Sequence, residues 1–480
     1  MRVLRRSTYA LFLSAVIAFP ALAQKTVRFT KLPRATLREL AAVQMPPPLP
    51  RENRHEKKRA AMVDLGRRIR VDAAEAKAEA VTTPVIIPAP PIAVGFASDR
   101  SETLSPADSS GAVSRTHVVS ASNAGIVIHN RGGAQVEQLT LSQFWRNSNT
   151  VAEFYDPRLV YDAAADRWLT SAIRQETDLM LAVSATGDPT GAWIRYEVRI
   201  PGCDFTRLAL TRDTVLVSTI LPDGPSVLFS FDKTELYSDS ADLDARSYNT
   251  STFSMPVTSP DSPVEYLAEI TSTSKLRVSR LDRLPEGTRV FDPGFQFNFF
   301  DGDLAPQAGT MNVLDLGFGD IQAAVYRGGW LYAVNRIGSN DFTNDDNALV
   351  WWKVDPEGDR GAEIGIIDGE GETMFAYPSL AVNRAGAMLL SYCVLDKSIY
   401  PSAVYVYRDP AGRMSLPATI RTGDTPVLTT DRWGDYTTVV EDPLNDHDFW
   451  VVQIYASRNN WQTWWANVRV PPARSRSVRK

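Results

Sequence analysis

The sequence predicts an all-β protein: a β-propeller with seven blades, or six as the alternative, preceded by a short helical and proline-rich segment. Three observations carry this. From about residue 95, short apolar stretches alternate with turn residues. An apolar triplet, a turn and a second apolar stretch recur along the chain. The recurrence fills residues 95–472 almost completely.

The triplets are Gly111-Ala112-Val113, Leu159-Val160-Tyr161, Leu208-Ala209-Leu210, Leu267-Ala268-Glu269, Ala323-Ala324-Val325, Leu380-Ala381-Val382 and Thr438-Val439-Val440. Their starts are separated by 48, 49, 59, 56, 57 and 58 residues. Typical turns are Asp162 to Asp166 before Trp168-Leu169, and Arg327-Gly328-Gly329 before Trp330-Leu331. A third strand follows in most units, as at Leu179 to Val183, Val227 to Phe231, Leu349 to Val354, Ala403 to Tyr407 and Trp464 to Val468. A period of this size with three or four strands per unit is the signature of propeller blades. The unit at 260–300 is the least regular and leaves six blades as the alternative. Closure follows from the apolar pattern, because a small sheet with two apolar faces buries both only between neighbours. The 11 tryptophans suit the wide gaps between such sheets.

The ends of the chain read differently. Arg2, Arg5 and Arg6, an apolar stretch from Tyr9 to Phe19, and Ala21-Leu22-Ala23 form an export signal over 1–23, with the cut before Gln24. Residues 24–94 read as a helical and proline-rich linker: Met45 to Pro50 is a polyproline run and Glu56 to Ala80 is rich in helix formers. A weak apolar stripe, Met62, Leu65 and Ile69, offers one docking edge. Residues 473–480 form a basic tail.

Composition narrows the function. The chain has 480 residues, 44% of them hydrophobic and 22% charged, with net charge −5. That is globular composition without the basic footprint of a nucleic-acid binder. Two cysteines exclude a disulfide-stapled scaffold, and no stretch after the signal is long and apolar enough to cross a membrane as a helix. The expected location is periplasmic or extracellular, and the expected state a monomer.

The hairpin alignment exposes a second repeat. Three residues before the triplet stand Asp108, Asp156, Asp320 and Asp435, with Asp204 one residue earlier in its unit and Tyr377 in another. Directly before the triplets stand Ser110, Arg158, Arg207, Tyr266, Gln322, Ser379 and Thr437. Innermost strands begin on the face where propellers usually hold ligands, so these rows are expected to ring the central channel. The aspartates serve either as turn ties or as part of a polar funnel for a sugar, a peptide or a Ca²⁺ ion. Arg158 and Arg207 grip a carboxylate or phosphate, or pair with Asp156 and Asp204. The acidic loop Asp341, Asp345 and Asp346 is a weak Ca²⁺ candidate, and no other cofactor is expected. No Gly-x-Ser-x-Gly occurs, and His117, His129 and His447 show no catalytic spacing. Cys203 and Cys393 fall near the same face in separate units, either bridged or as two thiols.

Five motifs, Asp108 to His117, Tyr161 to Trp168, Gly187-Asp-Pro-Thr-Gly191, Tyr377-Pro-Ser-Leu380 and Arg432-Trp-Gly-Asp-Tyr436, resemble those of a family of secreted bacterial β-propellers of largely uncharacterised function. In architecture that family is remotely like sialidase, kelch and WD40 propellers. The resemblance implies a fold and an exported location, not a chemistry. The Ser-x-Asp-x-Gly-x-Thr-Trp turn that sialidases repeat does not occur. The reading these features favour is a binding module for a glycan, peptide or protein. The alternatives are a glycan-processing hydrolase or lyase, and a structural envelope component.

Overall fold

The computed structural model describes residues 25–42, 86–101, 104–146, 152–221, 226–251, 254–271, 274–295, 304–338, 347–358, 360–369 and 373–471. The expected signal, the 45–50 and 56–80 stretches, the Asp341 loop and the basic tail lie outside the described residues. No described helix is long and apolar enough to cross a membrane.

The protein is an all-β propeller. Its described strands form seven four-stranded antiparallel sheets, two of them joined by an extra strand, and one two-stranded hairpin. The innermost strands are Ser110–Val113, Phe154–Asp162, Asp204–Leu210, Met255–Pro256, Ile321–Arg327, Met374–Val382 and Thr438–Glu441. Each packs beside the next, and the last packs against the first, so the ring closes. The seventh blade takes its outermost strand, Ile92–Ser101, from the N-terminal side, where it pairs with Asn460–Val468.

Strand alternation explains the packing. In Asp178–Ser184, Leu179, Leu181 and Val183 join the core shared with the third blade, while Met180 and Ala182 join the core shared with the first. Successive side chains point to opposite faces, so one strand feeds two interfaces. Each pair of neighbouring blades shares an apolar core of this kind. Trp168, Trp352, Trp450 and Trp465 fill these gaps and are fully buried.

Two expectations need correction. The triplet Leu267-Ala268-Glu269 lies in the second strand of the fourth blade, not its innermost. The innermost strand there is Met255–Pro256, continued by lateral bridges from Thr258 to Val325 and from Ser259 to Thr211. Proline lacks a donor, and the surrounding Ser, Thr and Pro residues read as loop, which hid this strand.

Residues 24–94 are not wholly a linker either. Lys25–Lys31 is a strand that pairs with Asp242–Thr250 of the third blade and, at its end, with Ala192–Arg199 of the second. A short helix, Leu37–Ala41, follows with a Thr36–Glu39 capping box. The closing strand begins at Ile92, inside the expected linker. Both strands are stabilised by partners remote in sequence, which local composition does not report.

Candidate functional site

Four of the seven innermost strands start with a shared local geometry. Asp108, Asp156, Phe205 and Tyr377, each three residues before its triplet, have positive φ values of 48°, 53°, 55° and 49°. Three of these strands slip register there, between Tyr155 and Arg158, Asp204 and Arg207, and Ala376 and Ser379. Asp tolerates left-handed backbone; Phe and Tyr adopt it at a cost of order 1 kcal/mol or more. The recurrent offset therefore marks a recurrent bulge, and in the third blade Phe205 occupies it, with Asp204 one residue before.

The aspartates tie blades together. Asn123 Nδ2 donates to Asp108 Oδ2 at 2.6 Å, and the Asp156 N–H donates to Asn123 Oδ1 at 2.9 Å. Asp156 Oδ2 in turn accepts the Phe205 N–H at 2.9 Å, and Thr206 Oγ1 donates to the Asp156 carbonyl at 2.7 Å. Between the sixth and seventh blades, Thr437 Oγ1 donates to the Tyr377 carbonyl at 2.8 Å. Ser110 and Ser379 accept the N–H groups of Leu159 and Val439, each at 3.0 Å. Asp204 accepts the adjacent Phe205 N–H at 3.1 Å. Asp435 accepts from Arg432 at 2.6 Å.

The arginines reach across the ring rather than to the acids beside them. Arg207 Nη2 donates to Asp320 Oδ2 at 2.5 Å, bridging residues 113 positions apart and bypassing the fourth blade. Gln322 Nε2 holds the other Asp320 oxygen at 2.9 Å. Arg158 Nε donates to the Thr206 carbonyl at 2.9 Å, and its guanidinium lies over Tyr436, 3.2 Å from the ring centroid. The Tyr436 hydroxyl donates to the Pro157 carbonyl at 3.0 Å. Both guanidinium groups flank the half-buried Phe205 ring, at 5.5 and 5.1 Å. The sequence-level pairings Arg158–Asp156 and Arg207–Asp204 are thus replaced by partners in other blades.

Burial sets the electrostatics. It pushes the Asp320 carboxyl up, against the pull of Arg207 and Arg158. It pushes the Arg158 guanidinium down, opposed by Tyr436 and Asp156. Burial also works against the Arg432 charge, but Asp435 and Asp108 outweigh it and raise that group. Arg207 is 1% exposed, and its Nε and Nη1 have no acceptor among the described residues.

Part of this face is covered. A hairpin of Leu304–Ala305 and Leu314–Asp315 packs on the loop that precedes the seventh blade. Gln307 and Val427 exchange hydrogen bonds of 2.9 and 2.7 Å, and the Asp315 N–H donates to the Asp431 carbonyl at 2.8 Å. Leu314, Leu316, Val427 and Trp433 make an apolar layer over Met374, Tyr377 and Ile454. Tyr377 is buried beneath it and donates to the Asp315 carbonyl at 2.7 Å. Asp204, Phe205, Arg432 and Asp435 stay half-buried. Sequence reasoning missed Asn123, Phe205, Tyr436 and the cap; the left-handed offset shared by Asp108 and Asp156 was the available signal for Phe205.

No disulfide joins Cys203 to Cys393. Cys203 lies in the core between the second and third blades, and Cys393 lies under the cap, 3.2 Å from Gln453 Oε1. Burial pushes the Cys393 thiol up. The Asp341, Asp345 and Asp346 candidates lie outside the described residues. Among the described residues no group of three or more His, Cys, Asp or Glu side chains could hold a metal ion.

No family model matches the chain, and no curated protein matches it. Solved structures of similar fold include AofleA from Arthrobotrys oligospora, at 13% identity and TM-score 0.40, covering 66% of this chain and 86% of that one. The WD40 domain of SCAP from fission yeast matches at 9% identity and TM-score 0.34, over 75% and 95% of the two chains. The β-propeller domain of the Trilobed protease from Pyrococcus furiosus matches at 9% identity and TM-score 0.39, over 76% and 98%.

Proposed function

We propose that this protein is an exported binding propeller that holds a glycan, peptide or protein ligand where its innermost strands begin. The observation that carries this reading is Arg207. A buried guanidinium has five N–H donors, and leaving such donors without acceptors is costly. Arg207 has two such nitrogens beside a second buried arginine and a half-exposed aromatic ring. An anionic or carbonyl-bearing ligand group, seated against Phe205, would supply the acceptors. The nearby acids support binding rather than hydrolysis, since Asp156, Asp320 and Asp435 already serve donors of this chain.

The test is a thermal-shift and array screen with acidic and neutral glycans and with peptides, on wild type, Phe205→Ala and Arg158→Gln. A ligand-linked shift in wild type that both variants lose, while keeping a cooperative melt, is expected. No shift in wild type, or an equal shift in all three, would remove the proposal. Export rests on the reading of residues 1–23. N-terminal sequencing of the secreted protein should begin at Gln24, and a retained Met1 would contradict it.

A further inference from the structure

The second and third blades are each complete with four strands, yet a fifth strand lies between their outer rims. Lys25 to Thr30 pair with Asp242 to Ser247, and Thr30 and Lys31 pair with Glu197 and Tyr196. Phe29 is fully buried, its ring edge-on to Phe229 and Phe231 at 5.2 and 4.9 Å. Arg28 meets Asp244 at 2.9 Å and Lys31 meets Asp239 at 2.7 Å. The Leu32 N–H donates to the Arg195 carbonyl at 2.8 Å, and buried Arg195 holds the Pro33 carbonyl at 2.6 Å. Leu37 and Leu40 then enter the core of the first and second blades.

These contacts have the parts of peptide recognition by strand addition: ladder hydrogen bonds for affinity, an aromatic anchor in a pocket, and charges that fix direction. None of them depends on the chain that connects Ala42 to the seventh blade. We propose that the rims of the second and third blades form a strand-binding site for an extended basic–aromatic–basic segment, filled by residues 25–41 and able to hold that segment without its covalent connection. Left empty, the site would expose the outer strand of the third blade as an unpaired edge.

The test uses the full chain with a protease recognition sequence inserted after Val43. After cutting, the fragment ending there should co-elute with the propeller at micromolar concentration, and an excess of synthetic peptide 24–42 should displace it. A Phe29→Ala peptide should bind at least about 100-fold more weakly, the affinity equivalent of a truncated buried Phe. Three outcomes would overturn the proposal: the fragment separating on cutting, the cut protein losing its cooperative melt while the fragment is still present, or equal affinity of the two peptides.

Discussion

The chain meets the ring twice before its first complete blade, and the two meetings differ. The strap, Lys25–Lys31, adds a strand to blades that are already complete. The closing strand, Ile92–Ser101, completes the seventh blade, where Phe96 lies against Trp450, and leans on the first: Phe96 also lies against His129, and Ser122 donates to buried Asp99. Both use the same ladder of backbone hydrogen bonds. The consequences differ because only the closing strand joins the two ends of the ring, whereas the strap decorates its wall. Equal hydrogen bonding therefore need not mean equal weight in the fold.

The largest expected effect separates the two directly. Removing 86–101 should abolish the cooperative melt seen by calorimetry, since it strips the seventh blade and bares the apolar face of the first. Removing 24–42 should leave a cooperative melt at lower temperature. Similar melts for the two deletions would erase the distinction.

Gly111→Ala tests the closing interface at one atom. A Cβ there would overlap the buried Trp465 ring, so the substitution should cost about 1–3 kcal/mol in denaturant unfolding. An unchanged midpoint would show that this interface has slack.

Asp99 gives the interface a pH dependence. Burial raises its carboxyl to about 6, with donors from Ser122 and the Arg100 N–H only partly opposing this. Below about pH 4 the group is protonated in folded and unfolded chains alike and costs nothing. Between about 4 and 6 the unfolded chain ionises this group while the folded one keeps it protonated, so stability falls as pH rises. Asp99→Asn should therefore stabilise the protein above pH 6, by at most about 2–3 kcal/mol, and change little at pH 4. His129, lowered by burial to about 4, acts oppositely and weakens the interface as pH falls below about 6.5. A variant no more stable than wild type at pH 7 would refute the role given to Asp99. The smallest effect is on the strap's outer face: Arg28→Ala removes an exposed ion pair with Asp244 and should leave the denaturant midpoint nearly unchanged.

Much of the ring was legible because its cause is local. Alternation along Asp178–Ser184 already says that two faces need cover. The recurring acid three residues before the triplet pointed to a repeated turn, and Asp108 and Asp156 hold left-handed backbone at that offset. The same offset misled at Asp320, at Asp435 and in the fourth blade. Asp320 is not left-handed there, and its carboxylate is held by an arginine from another blade. In the fourth blade the innermost strand is two paired residues in a proline-rich stretch.

The amino-acid sequence by itself determined the strand period and the blade-like repeat, because each depends on residues close together along the chain. Only the tertiary structure decided that Arg207 faces Asp320, that Arg158 lies over Tyr436, that the 304–316 hairpin caps Tyr377, and that Val27 and Phe29 belong to a strand. Each of these unites residues far apart in sequence, and its energy comes from burial and hydrogen bonds that exist only once the ring has formed.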